Sequence, residues 1–297
     1  MDSISVEAYA KINIGLDVRG IRDDGYHDVR MVMQTIDVCD TIILKKREDS
    51  VITVVSDNDN IPSGSDNLAY KAAEEFRNEF NSEFSDEFDD WDFGVDIVIQ
   101  KRIPVSAGLG GGSADAAAVL KGMNILFNTG LSRDRLMQIG SRVGSDVPFC
   151  IFGWTAYAGG RGEKISPLLG FPKMHLVIVK PVDFGISTAK AYSALDKEES
   201  LYHPEIDSLV DALHEAAPIE EIVGYMGNTF ERVILREHPI IGDIKTALEE
   251  NGALRSLMSG SGPSVYGIFK DEESAAKCAD AMRKRFNDAE VFLTKIR

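Results

Sequence analysis

The chain opens on alternating apolar and polar positions, a period of two that puts successive side chains on opposite faces of a strand. Such runs cover Ile4 to Ala10, Lys11 to Val18, Val29 to Val38 and Thr41 to Lys45. The turn signal Arg22-Asp23-Asp24-Gly25 delivers Tyr26 and His27 to a strand edge. Helical spacing starts after Ser65 or Asp66, either a good N-cap, and passes through Ala72, Ala73 and Phe76. Phe76, Phe80, Phe84 and Phe88 then recur at intervals of four within an acidic stretch. Steps of four overshoot a 3.6-residue turn, so this stripe predicts a helix end and an acidic loop whose phenylalanines fold back onto the core.

A strand over Gly94 to Gln100 leads to a glycine-rich stretch and an alanine-rich helix, Ser113 to Asn124. A second helix, Ser132 to Val143, has Ser132 as its cap. Pro167 and Pro172 bracket a linker-like segment, after which Met174 to Lys180 reads as a buried strand opening a second domain. Ile206 to Gly227, Ile240 to Asn251 and Glu272 to Arg285 have helical patterns; Ser264 to Phe269 and Val291 to Ile296 have strand patterns. No internal repeat interrupts this order. The expected class is α+β, with domains over 1–165 and 166–297.

With 297 residues, 44% of them hydrophobic, the chain can bury two modest cores. No apolar run approaches the roughly 18 residues that cross a bilayer. Met1 to Glu7 has no basic and apolar export signal, so a cytoplasmic protein is expected. Cys39, Cys150 and Cys278 are far apart and form no CxxC, which suits reduced thiols and predicts neither disulfide nor zinc site. A net charge of −16 argues against nucleic acid or an anionic membrane as main partner. It leaves oligomeric state open.

The feature richest in chemistry is Pro104-Val105-Ser106-Ala107-Gly108-Leu109-Gly110-Gly111-Gly112-Ser113-Ala114. Glycines let the backbone turn tightly and bring amides close to a ligand. A helix follows at once, so its unpaired N–H groups and positive dipole end face the same point, a cradle for phosphate. The loop lacks the Gly-Lys-Ser/Thr of a Walker A motif, and its triple glycine is out of register with a dinucleotide-binding fingerprint. A protein kinase is excluded because none of the five histidines is followed by Arg-Asp.

Three blocks in order, Ala8-Tyr9-Ala10-Lys11-Ile12-Asn13, the glycine loop, and Leu257 to Tyr266 around Gly260-Ser261-Gly262, make the chain similar to the GHMP kinases. Asp24-Gly25-Tyr26-His27, Asp66-Asn67-Leu68, Lys101-Arg102-Ile103-Pro104 and Gly144-Ser145-Asp146-Val147-Pro148 resemble the branch that phosphorylates 4-diphosphocytidyl-2-C-methyl-D-erythritol. Tyr9 departs from the proline usual there. The resemblance implies an N-terminal domain like ribosomal protein S5 domain 2, a ferredoxin-like C-terminal domain, ATP as phosphate donor, Mg2+ arriving with it, and a cleft between the domains.

Residue by residue, the resemblance implies that Asp146 receives the proton of the substrate hydroxyl and that Lys11 pairs with it and offsets phosphoryl charge. Asn13 would bind the erythritol end; Tyr26, His27, Thr188 and Tyr192 would enclose the cytosine. Asn67, Leu68 and Lys101 would lie on the adenine side, with Pro104 to Ala114 and Gly260 to Gly262 around the phosphates. Without the resemblance, Lys11 is equally a solvated strand lysine, Asp146 a turn cap, Tyr26 a buried turn aromatic and Gly260 to Gly262 a hairpin turn. Two other readings stand beside this one: a GHMP kinase for mevalonate, homoserine or a sugar, and a GHMP-fold protein that binds nucleotide without turnover.

Overall fold

A computed structural model describes residues 1–84, 94–182 and 184–297. They pack as two compact units built from interleaved stretches of chain. The first holds Met1–Ala10, Val38–Val105 and Gly110–Gly153; the second holds Lys11–Asp37, Ser106–Leu109 and Trp154–Arg297.

Two long strands, β1 (Ser3–Ile21) and β2 (His27–Arg47), run through both units. The patterning predicts four strands here. The pairs fuse because the polar residues that interrupt the apolar pattern, Lys11 and Asp40, are themselves buried within continuous strands.

In the first unit β3 (Ile52–Ser56), β4 (Gly94–Gln100), β2 and β1 lie side by side. β4 runs antiparallel to β2, pairing Thr41 with Gln100 through to Arg47 with Gly94, and parallel to β3. Four helices complete the unit: α1 (Leu68–Phe84), α2 (Gly111–Leu126), α3 (Arg133–Val143) and α4 (Val147–Phe152). α2 packs against α1 and α4, with Ala116, Ala117 and Ala118 fully buried. Gly122 lets it approach the sheet, since a Cβ there would come within 2.5 Å of a Leu44 methyl.

The cap of α1 is Asn67, whose Oδ1 accepts from Ala69 N at 2.8 Å, in place of the expected Ser65 or Asp66. α1 buries Phe76 and Phe80, as the stripe predicts for its first half. Phe88 and most of the acidic run lie outside the described residues.

In the second unit β1 pairs parallel with β8 (Gly227–Asn228), and β2 pairs antiparallel with β5 (Thr155–Gly159), itself paired with β6 (Lys164–Pro167). A separate antiparallel sheet has the order β11 (Ala289–Lys295), β7 (His175–Pro181), β10 (Val265–Phe269), β9 (Arg255–Met258). α9 (Pro239–Glu250) and α10 (Glu272–Arg285) pack on it. The smaller helices are α5 (Thr188–Leu195), α6 (Ile206–His214), α7 (Ile219–Tyr225) and α8 (Glu231–Glu237). The single helix expected from Ile206 to Gly227 divides because Pro218, with no N–H to continue the ladder, starts α7. α10 forms over its expected span, with Asp271 accepting from Ser274 N at its start.

Candidate active site

The glycine loop contributes to both units. Its first part, Ser106 to Leu109, is held in the second. Leu109 O accepts from Lys11 N at 3.0 Å, and Ala107 O accepts from Ser264 N at 3.3 Å. The Ser259 hydroxyl donates to Gly108 O at 2.9 Å. Gly108 has φ of +74°, and a Cβ on it would lie 2.1 Å from Ser259 O, so only glycine fits. A Cβ at Gly260 would lie 3.3 Å from Gly108 O and 3.5 Å from Asn13 Oδ1. The second unit thus draws the small-residue turn 260–262, the loop and the Lys11 strand together.

Lys11 and Asn13 share a strand face, both buried, and Lys11 Nζ donates to Asn13 Oδ1 at 2.7 Å. Asn13 Nδ2 points to Met31 Sδ at 3.3 Å, and the buried Tyr266 hydroxyl donates to Asn13 O at 2.9 Å. Lys11 is therefore an inward cation, not a solvated strand lysine.

The second part of the loop starts α2 in the first unit. Gly110, in the left-handed region at φ 70°, is the cap residue, and no side chain caps the helix. Its first helical bond runs from Ala114 N to Gly110 O at 2.8 Å, so α2 begins with backbone donors aimed outward at its positive dipole end. A Cβ on Gly112 would meet Leu68 Cδ1 at 3.5 Å, and one on Gly144 would lie 4.0 Å from Leu68 Cδ1 and Ser113 Oγ. Leu68, the start of α2 and the Gly144-Ser145-Asp146 turn are thus neighbours. Asp146 precedes α4, accepts from Cys150 N through its main-chain oxygen, and does not cap the helix with its carboxylate.

Asn67 and Lys101 are already committed to internal partners. Asn67 Nδ2 donates to Pro62 O at 2.7 Å while its Oδ1 caps α1. Lys101 Nζ, with its side chain 5% exposed, pairs with Asp40 at 2.5 Å and Asp115 at 3.0 Å. It also lies 3.3 Å from where a Gly111 Cβ would be. Asp40 Oδ1 accepts from Ile103 N at 2.8 Å, which fixes the chain entering the loop. Burial pushes Asp115 up to about 7, against the pull of Lys101 and with the help of Asp40. Burial pulls Lys101 down, but the two carboxylates more than offset it and its pKa ends raised. Composition and motif give no hint of this triad. The available signal was an acid in the apolar strand (Asp40) and another on the buried face of an alanine-rich helix (Asp115).

Among the expected cytosine contacts, His27 stacks on Tyr192 with ring centroids 4.3 Å apart, and Tyr192 meets Phe230 edge-on at 5.0 Å. His27 Nε2 lies 2.8 Å from Asp196 Oδ1, a partner that patterning did not suggest. Tyr26 is 54% exposed, not a buried turn aromatic, and the Arg161 guanidinium sits over its ring at 4.8 Å. Thr188 Oγ1 lies 3.1 Å from Ser261 Oγ, linking the start of α5 to the 260–262 turn.

Comparison with known proteins decides the family. The models "GHMP kinases N terminal domain" and "GHMP kinases C terminal" match residues 67–154 and 209–288. A 4-diphosphocytidyl-2-C-methyl-D-erythritol kinase of Clostridium beijerinckii is 44% identical over 98% of this chain and 99% of its own length. This chain belongs to that kinase family. A relative of the same name from Acetivibrio thermocellus is 45% identical over 99% of both chains. A crystal structure of 4-(cytidine 5'-diphospho)-2C-methyl-D-erythritol kinase superposes with a TM-score of 0.76 at 28% identity, covering 99% of this chain and 100% of that one. The α+β, two-domain GHMP kinase fold expected from the motifs is the fold of the family, and its N-terminal model spans the loop from Asn67 through Asp146.

Proposed function

We propose that this chain transfers the γ-phosphoryl group of ATP to the 2-hydroxyl of 4-diphosphocytidyl-2-C-methyl-D-erythritol, releasing the 2-phosphate and ADP in isoprenoid precursor synthesis. The observation that carries phosphoryl transfer is the start of α2. There a sixteen-residue helix offers backbone donors that no side chain caps, behind a loop of left-handed glycines. Support for the cytidyl substrate comes from full-length likeness to relatives named for it.

In this reading Pro104 to Ala114 and Gly260 to Gly262 hold the phosphates, with Asn67, Leu68 and Lys101 on the adenine side. Asp146 accepts the proton of the attacking hydroxyl, and the buried Lys11 ammonium offsets charge on the phosphoryl group. Asn13 orients Lys11 and the erythritol end, while Tyr26, His27, Thr188 and Tyr192 select the cytosine. Among the described residues no cluster of three or more His, Cys, Asp or Glu could hold a metal ion. The Mg2+ typical of the family would arrive with ATP, held mostly by its phosphate oxygens and water. The setting is the cytoplasm; no described helix is long and apolar enough to cross a membrane.

A coupled ADP-release assay tests the reading. ADP should appear with the cytidyl alcohol and not with mevalonate, homoserine or galactose. Asp146→Ala should lower kcat by about 10²-fold or more while the protein stays folded. ADP release with mevalonate alone, or an Asp146→Ala enzyme keeping most of its turnover, would overturn it.

A further inference from the structure

The second unit contains a cavity of about 330 Å³ that none of the residues assigned above lines. Its chemistry is unusual for so acidic a chain, because two arginines, Arg232 and Arg255, line it together with Tyr202. Arg255 Nη2 donates to Met226 O at 3.1 Å, but its Nε is buried and has no hydrogen-bond partner. A buried donor in that state is disfavoured unless an acceptor reaches it. Arg232 is exposed and lies over the Tyr202 ring at 5.5 Å, which holds the second guanidinium at the same opening. Gly227 keeps room for the Tyr202 hydroxyl, since a Cβ there would come within 2.9 Å of it.

The one carboxylate in the lining does not compete for these donors. Glu231 Oε2 pairs with Lys245 at 2.6 Å and its Oε1 accepts from Met258 N at 2.8 Å. The Arg232 and Arg255 guanidinium groups and the Tyr202 hydroxyl remain as donors. Two cationic planar forks at one opening match the higher charge and the several oxygens of a phosphoryl group. The volume fits a small metabolite. We propose that this cavity is a binding site for a small phosphorylated anion, separate from the glycine loop.

An occupant would also rest against Asn228, whose amide donates to Met258 O and Gly260 O, both at 2.8 Å. That places the anion against a side chain holding the 260–262 turn.

The test uses the full chain saturated with ADP, which occupies the glycine loop, and inorganic diphosphate as probe, followed by titration calorimetry. Wild-type protein should bind diphosphate, and Arg232→Met and Arg255→Met should each weaken that binding at least tenfold. Arg232 is exposed, so its variant should melt with the wild type even if Arg255→Met does not fold. ATP titrated into Arg232→Met should bind as in wild type, which separates this site from the glycine loop. Succinate should bind at least tenfold more weakly than diphosphate. Diphosphate binding that is absent, or unchanged in Arg232→Met, overturns the site; succinate binding equal to diphosphate overturns its phosphoryl preference.

Discussion

Gly108→Ala puts the packing of the glycine loop to a direct test. The new Cβ would start 2.1 Å from Ser259 O, a backbone atom that cannot rotate away. Reaching an ordinary contact distance requires the loop and the 259–262 turn to separate by about 1 Å, an overpacking cost of about 1–3 kcal/mol. Holding an alanine at φ +74° costs about 1–2 kcal/mol more. Separation also breaks the bond from the Ser259 hydroxyl to Gly108 O, about 1 kcal/mol. The expected loss is about 4 kcal/mol, which for a chain of 297 residues lowers Tm by about 6 °C. Gly112→Ala is the internal control. Gly112 is helical, its Cβ would meet Leu68 at an ordinary 3.5 Å, and alanine favours the helix by up to about 1 kcal/mol. Thermal unfolding by circular dichroism should show a large fall for Gly108→Ala and none for Gly112→Ala. Equal melting of the two variants, or a Gly108→Ala protein within about 2 °C of wild type, would refute the close approach.

Lys101→Ala should cost about 3–5 kcal/mol in urea unfolding, because it leaves Asp40 and Asp115 buried without their cation. Asp115, held near 7 in the folded state, keeps its proton between about pH 4 and 7 while the unfolded chain has lost it. The native state then binds the extra proton, so this residue makes stability fall as pH rises through that window, by at most about 1.4 kcal/mol per pH unit. Asp115→Asn should flatten the slope between pH 5 and 7, and an unchanged slope would assign it to other groups. Ser132→Ala should lower stability by about 1 kcal/mol, as its Oγ accepts from Arg135 N at the start of α3. Tyr192→Ala, which removes the ring stacked on His27, should raise KM for the cytidyl substrate about tenfold, with a smaller change in kcat, if base–aromatic stacking is worth its usual 1–3 kcal/mol.

Much of the local structure is legible without coordinates. The Ser132 cap, the α10 span and the β7 and β10 strands follow from periodicity and capping chemistry alone. Short elements escape that reading: β5, β6, β8, β9 and α8 are between two and seven residues long, too brief for a period to show. They form because neighbours remote in the chain pair with them, as Gly227 does with Gly15.

Family motifs mark Lys11, Asp146 and the glycine loop as chemistry; of these, Lys11 is buried on the inner face of β1. What no motif conveys is which polar groups are already engaged. The Lys101–Asp40 pair spans 61 residues and the Ser259–Gly108 bond spans 151.

The amino-acid order by itself determined where turns, caps and amphipathic faces fall, because these depend on residues within a few positions of one another. Only the tertiary structure decided that Lys101 is a buried counter-ion, that Gly108 can be nothing but glycine, and that Arg232 and Arg255 meet around one cavity. Each depends on the distance between atoms that the covalent chain does not constrain, and that distance is set by packing.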